Sequence, residues 1–135
     1  MKNQSITVEA VTESLPEVLS FVEEAASDMP FKLQTQLAIA AEEIFVNIAN
    51  YAYAHENGGE AVITAKSDDE KLVLTFEDKG TPYNPLSKDD PDIDASAEER
   101  EIGGLGIFMI KKLTDGIEYD HAGGKNILKI YKSKK

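Results

Sequence analysis

The chain has 135 residues and a formal net charge of −11, from 14 basic and 25 acidic side chains, with 41% of residues hydrophobic. That length corresponds to one domain with room for a real core, and the acidic balance speaks against unspecific attraction to nucleic acid or anionic lipid. The chain contains no cysteine, which excludes a disulfide framework, a thiolate metal site and a cysteine nucleophile, and no apolar run approaches membrane-spanning length.

The first ten residues, MKNQSITVEA, read as neither a signal nor a transit peptide, so a cytoplasmic location is expected. Ile6, Val8 and Ala10 alternate with polar residues, which predicts a short strand over 4–10. Ser14-Leu15-Pro16-Glu17 has the Ser-x-x-Glu spacing of a capping box, with proline tolerated in the first turn. Leu15, Val18, Leu19, Val22 and Ala25 then predict an amphipathic helix to about residue 28, broken by Pro30.

A longer helix is expected from Phe31 to a turn at Asn57-Gly58-Gly59, because Leu33, Leu37, Ala40, Ala41, Ile44 and Ile48 recur at helical spacing. Glu43 and Asn47 stand one turn apart on the shoulder of that stripe, with Asn50 on the same side. They are either a carboxylate and a carboxamide held together against a buried face or a solvated helix edge. Segments 61–66 and 71–77 read as two strands joined by Ser67-Asp68-Asp69-Glu70, a hairpin. A loop over 78–85 follows.

Residues 86–101 change in composition: Asp89, Asp90, Asp92, Asp94, Glu98, Glu99 and Glu101 crowd against Lys88 and Arg100, with few apolar groups as anchors. The segment is a solvated loop or a mobile lid. Ile102-Gly103-Gly104-Leu105-Gly106 opens a helix to about Thr114, and strands over 116–121 and 125–132 flank Ala122-Gly123-Gly124. Strands and helices do not alternate regularly. The expected fold is therefore a single-domain α+β sandwich over 1–135, with a mixed, mainly antiparallel sheet and helices on one face. His55 and His121 lack metal-ligand spacing and are expected at the surface.

The glycine cluster fits neither common nucleotide loop. A Walker A loop needs Lys-Ser/Thr where Ile107-Phe108 follow Gly106, and a dinucleotide fingerprint needs a third glycine where Met109 stands. What remains is a glycine turn opening a helix, serving close packing or presenting backbone N–H groups to phosphate at the positive end of the dipole. Asp78 precedes Lys79-Gly80 at a strand end, as a turn residue or as an acceptor for an exocyclic amine. Arg100, the only arginine, lies three residues before Gly103; it could pair with Glu98, Glu99 or Glu101, or contact a terminal phosphate in bidentate fashion.

Three blocks thus occur in order: Glu43-x-x-x-Asn47, then Asp78-Lys79-Gly80-Thr81-Pro82-Tyr83-Asn84-Pro85, then Gly103-Gly104-Leu105-Gly106. They resemble the N, G1 and G2 boxes of the GHKL ATPases, and most of all the small anti-sigma-factor serine kinases. The short G1 form of those kinases, Asp-x-Gly-x-Pro-aromatic-(Asp/Asn)-Pro, is matched by Asp78 to Pro85. The resemblance implies a Bergerat-type two-layer sandwich that binds ATP and Mg²⁺. It gives Asn47 the role of Mg²⁺ ligand and Glu43 that of the general base toward an attacking hydroxyl. Asp78 would accept the adenine amine, with Gly80 allowing close approach, and the box Gly103, Gly104, Leu105 and Gly106 would hold phosphates through backbone N–H. Residues 86–101 become the ATP lid, with Arg100 at the nucleotide.

The implied activity is a protein serine/threonine kinase acting on a STAS-domain anti-anti-sigma protein, with a sigma factor as a further partner and a homodimer as the working state. An ATP-binding sequestering module without phosphoryl transfer is the alternative. A detached sensor-kinase domain is less expected, since no helix carrying a phosphoacceptor histidine is seen. Two positions depart from the pattern. Tyr51 stands where many relatives carry a histidine, and the strand Asn126-Ile127-Leu128-Lys129-Ile130 lacks the threonine often found near adenine.

Overall fold

Parity along the strands decides which face of the sheet is covered. The computed structural model describes residues 2–52, 59–80 and 102–134. The elements in chain order are β1 (Lys2–Glu9), α1 (Leu15–Ala25), α2 (Phe31–Asn47), β2 (Glu60–Ser67), β3 (Lys71–Asp78), α3 (Ile102–Leu113), β4 (Gly116–Ala122) and β5 (Lys125–Ser133). A 3-10 turn, Thr12–Ser14, leads into α1, and a π-helical turn, Ile48–Ala52, continues α2.

The strands form one sheet in the order β1-β2-β3-β5-β4, and every pairing is antiparallel. Registers such as Ile63↔Phe76 and Phe76↔Leu128 place buried residues of neighbouring strands side by side. Ile63, Leu72, Leu74, Phe76 and Ile130 are fully buried on this face, against Val18 and Val22 of α1, Leu37, Ile44 and Phe45 of α2, and Ile110 of α3. Each such side chain contributes about 1.5–3 kcal/mol on burial. The alternate residues Thr64, Val73, Thr75 and Ile127 are only half-buried. The result is the expected α+β two-layer sandwich, with helices on one face and β1 and β4 at the edges.

Local chemistry fixes both hairpins. In the β2–β3 turn, Asp68 Oδ1 accepts the backbone N–H of Glu70 at 2.8 Å and of Lys71 at 2.9 Å. These bonds, that of Lys71 above all, hold its carboxyl below the usual aspartate range. In the β4–β5 turn, Gly123 and Gly124 have φ of 61° and 76°. This left-handed pair matches the twist of a tight hairpin, and only glycine adopts it freely.

The structure differs from the sequence reading at several boundaries. Ser14 does not cap α1: its φ and ψ of −83° and −7° are already helical, and its side chain makes no capping hydrogen bond. The 3-10 turn feeds the helix directly, so the extended backbone that a capping serine needs is missing. α1 ends at Ala25 rather than near residue 28. Asp78 is the last residue of β3, not the first of a loop. Residues 53–58, with His55, the 81–85 part of the Asp78–Pro85 block, and segment 86–101 with Arg100, expected as the lid, lie outside the described residues.

Candidate functional site

The site starts from a polar row at one end of the covered face. Parity points Asp78 of β3 and Asn126 of β5 to the helix side, and the register sets them directly opposite each other. Both are buried, Asp78 at 6% exposure and Asn126 at 6%. Buried polar groups need partners, and here they supply one another. Asn126 Nδ2 donates to Asp78 Oδ1 at 2.9 Å, and the Gly80 N–H donates to the same oxygen at 2.9 Å. Tyr119 of β4 donates its hydroxyl to Asn126 Oδ1.

One oxygen of the Asp78 carboxylate therefore takes two N–H donors. The other, Oδ2, accepts no hydrogen bond from any described residue. A buried carboxylate oxygen without a donor is costly unless something else supplies one.

Helix α2 carries the second group. Glu43 and Asn47 are half-buried, while Asn50 is exposed. They flank Ile44 and Ile48, which belong to the same core cluster as Phe76 and Leu128. The α-helix ends at Asn47, and the π-helical turn begins at Ile48. Single π turns are frequent at functional sites because they re-aim the residues that follow. The backbone of Tyr51 lies within that turn, so residue 51 does not continue the α-helical stripe of Glu43 and Asn47.

The third group opens α3, which starts at Ile102, so Gly103, Gly104, Leu105 and Gly106 all lie in its first turn and a half. The first four N–H groups of a helix have no acceptor within it and sit at the positive end of the dipole. The opposite end is pinned: Lys132 Nζ donates to the Leu113 carbonyl at 2.6 Å, and Thr114 Oγ1 donates to the Ile110 carbonyl at 2.8 Å. Lys111 and Lys112 in the last turn complement the negative end.

A cleft of about 660 Å³ opens at the Asp78 end, lined by Thr7, Gly59, Glu60, Val62, Glu77, Asp78, Lys79 and Lys125. Thr7, Val62 and Glu77 belong to the uncovered face, and Asp78 also lines the cleft, so it meets the Asp78–Asn126 row at Asp78. His121 is exposed, and no group of three or more His, Cys, Asp or Glu able to hold a metal occurs among the described residues.

The sequence reading named Asp78, Gly80, Glu43, Asn47 and the glycines, and the structure describes all of them. It missed Asn126 and Tyr119 as partners. The available signal was parity: Asn126 shares a face with Leu128 and Ile130, and a polar residue at an inward position needs a reason.

Residues 8–132 match the family model described as histidine kinase-like ATPase domain. Among similar proteins, the serine-protein kinase RsbW of Listeria monocytogenes is 28% identical over 96 residues, which is 68% of this chain and 61% of the relative. RsbW of Bacillus mycoides is 32% identical over 96 residues, 68% of this chain and 59% of the relative. The serine/threonine-protein kinase BtrW of Bordetella bronchiseptica is 22% identical over 99 residues, 73% of this chain and 70% of the relative. The chain thus spans about three-fifths of the length of the RsbW proteins it matches. A solved structure of the RsbU and RsbW domains of Rv1364c from Mycobacterium tuberculosis superposes with a TM-score of 0.69 at 15% identity, covering 98% of this chain and 32% of that one. At that identity the likeness concerns the fold.

Proposed function

This chain belongs to the histidine kinase-like ATPase family, close to the RsbW-type kinases, and from that premise we propose that it is an ATP-dependent protein serine/threonine kinase of the anti-sigma-factor type. The observation that carries the reading is the Asp78 carboxylate: buried, aimed by Asn126 and Gly80, with Oδ2 left to accept a donor. The 6-amino group of adenine is such a donor. Gly80, also buried, puts no side chain in the way of the base.

The phosphates belong at the first turn of α3, on the N–H groups of residues 102–105. With its C-terminus pinned at Lys132, this helix of about 18 Å is long enough to return its first turn toward the Asp78 end, about 20 Å away along β5. Arg100 would add a bidentate contact to a terminal phosphate.

Asn47 offers one neutral amide oxygen, half-buried one turn from Glu43, which suits a Mg²⁺ held mainly by nucleotide and water. When bound, the cation supplies charge neutralisation on the phosphates. Glu43, one turn from Asn47, would take the proton of a serine hydroxyl as that oxygen attacks the γ-phosphoryl group. The remaining work is positioning.

By kinship with the RsbW-type kinases, the protein substrate would be a STAS-domain anti-anti-sigma protein, a sigma factor a second partner, and a homodimer the working state. The test is calorimetry with ATP, with and without Mg²⁺, followed by transfer from γ-labelled ATP to candidate STAS proteins. Mg²⁺-dependent binding with labelling of a serine supports the kinase. Tight binding without transfer to any of them replaces it with a nucleotide-binding sequestering module.

A further inference from the structure

The late strand β5 lacks threonine, yet it places a buried hydrogen-bonding side chain directly opposite Asp78. Asn126 Nδ2 lies 2.9 Å from Asp78 Oδ1 and 3.5 Å from the Gly80 carbonyl, and Asn126 Oδ1 receives the Tyr119 hydroxyl. This arrangement has one sense. With the amide turned over, its oxygen would face a carboxylate oxygen and the Gly80 carbonyl, acceptor against acceptor. The Tyr119 hydroxyl strengthens the preference, because it donates to the end that points away from Asp78. Three consecutive strands, β3, β5 and β4, thus each contribute one member of a relay that ends on a single carboxylate oxygen.

We propose that Asn126, held by Tyr119, is a positioning residue that sets nucleobase preference, keeping Asp78 turned so that its Oδ2 meets a hydrogen-bond donor and turns away an acceptor. The proposal rests on the ATP reading above. The ligand class follows from the chemistry: a 6-aminopurine nucleotide presents N–H to Oδ2, whereas a 6-oxopurine presents a carbonyl oxygen to a carboxylate. Without the Asn126 donor only the Gly80 N–H holds Asp78 Oδ1, so the carboxylate can turn about that one bond or hold a water that faces either group, and discrimination falls. The loss is greatest for the acceptor-repelling part, since water can donate where a carboxylate cannot.

The experiment is calorimetric titration of folded protein with ATP and with inosine triphosphate, which differ in the 6-amino against 6-oxo group and in the proton the oxo form carries on N1. The variants are Asn126→Val, Asn126→Thr and Tyr119→Phe, each checked by its melting curve. Valine and threonine have nearly the same shape, so they separate a lost donor from lost packing. Wild type should prefer ATP by about ten- to hundredfold, the weight of one charge-assisted hydrogen bond. Asn126→Val should bring that ratio to within about threefold of unity, Asn126→Thr should retain most of it, and Tyr119→Phe should fall between. A folded Asn126→Val with the wild-type ratio overturns the proposal, as does equal loss in Val and Thr, which would make the residue a packing element. Those outcomes leave ATP binding by wild type intact. Absence of ATP binding by wild type overturns the ATP reading itself, and this proposal with it.

Discussion

Replacing Asp78 by asparagine changes one atom of the proposed base-recognition group, and the structure says which atom. The Oδ1 position accepts the Gly80 N–H and the Asn126 Nδ2, each at 2.9 Å. Only an oxygen satisfies both, so the amide oxygen of Asp78→Asn settles there and the new NH₂ replaces Oδ2. The fold loses little, because two hydrogen bonds go from charged to neutral and none is broken. The nucleotide loses more. A charge-assisted hydrogen bond is worth about 1.5–3 kcal/mol, and the 6-amino group now meets another donor. At about 1.4 kcal/mol per decade, the dissociation constant for ATP should rise at least about tenfold, and up to about 150-fold. The preference should also move toward inosine triphosphate, whose 6-oxo group accepts from the new NH₂. Calorimetry with both nucleotides, beside thermal melts of the two proteins, reads all of this. Wild-type ATP affinity in a folded Asp78→Asn would mean that Asp78 does not read the base and is a structural residue of the strand end.

Three further outcomes follow from the structure and its family. Gly124→Ala forces a side chain into φ of 76° and should cost about 1–2 kcal/mol of unfolding free energy, read by denaturant titration; no loss would mean that the turn relaxes freely. Asp68 has its carboxyl held low by the Lys71 and Glu70 N–H groups, so its contribution to stability is present above the ordinary aspartate value of about 3.9 and disappears as pH falls through the lowered one. The stability difference between wild type and Asp68→Asn should accordingly shrink on acidification, and a difference constant from neutral pH to below that window would contradict the assignment. Light scattering should report a dimer through the exposed edge of β1, and a monomer mass with and without nucleotide would remove the dimer proposal.

Much of this was legible because period decides burial. Alternation in β2, β3 and β5 places the polar residues Asp78, Asn126 and Lys132 on the covered face along with the apolar ones. The stripe through Leu37, Ile44 and Ile48 fixes which side of α2 is covered, and with it the half-buried shoulder of Glu43 and Asn47. What escaped depended on contacts between distant segments. The Asp78–Asn126 pair spans 48 residues of sequence, and nothing local to either residue announces it. The capping box failed for a local reason that spacing does not carry, since the preceding turn already made Ser14 helical. The π turn after Asn47 is set by how the helix end meets the core, where Ile48 is buried at 9% exposure, and apolar spacing alone reads through it as continued α-helix.

The proposed role of Glu43 and Asn47 in phosphoryl transfer is tested by single-turnover transfer from γ-labelled ATP to a serine of a STAS-domain partner. The comparison is wild type against Glu43→Gln, which keeps size and hydrogen bonding but removes the base. In folded Glu43→Gln, ATP affinity should stay within about threefold while transfer falls by about 10²–10⁴, the usual weight of general-base catalysis. Transfer at the wild-type rate by folded Glu43→Gln would contradict that role.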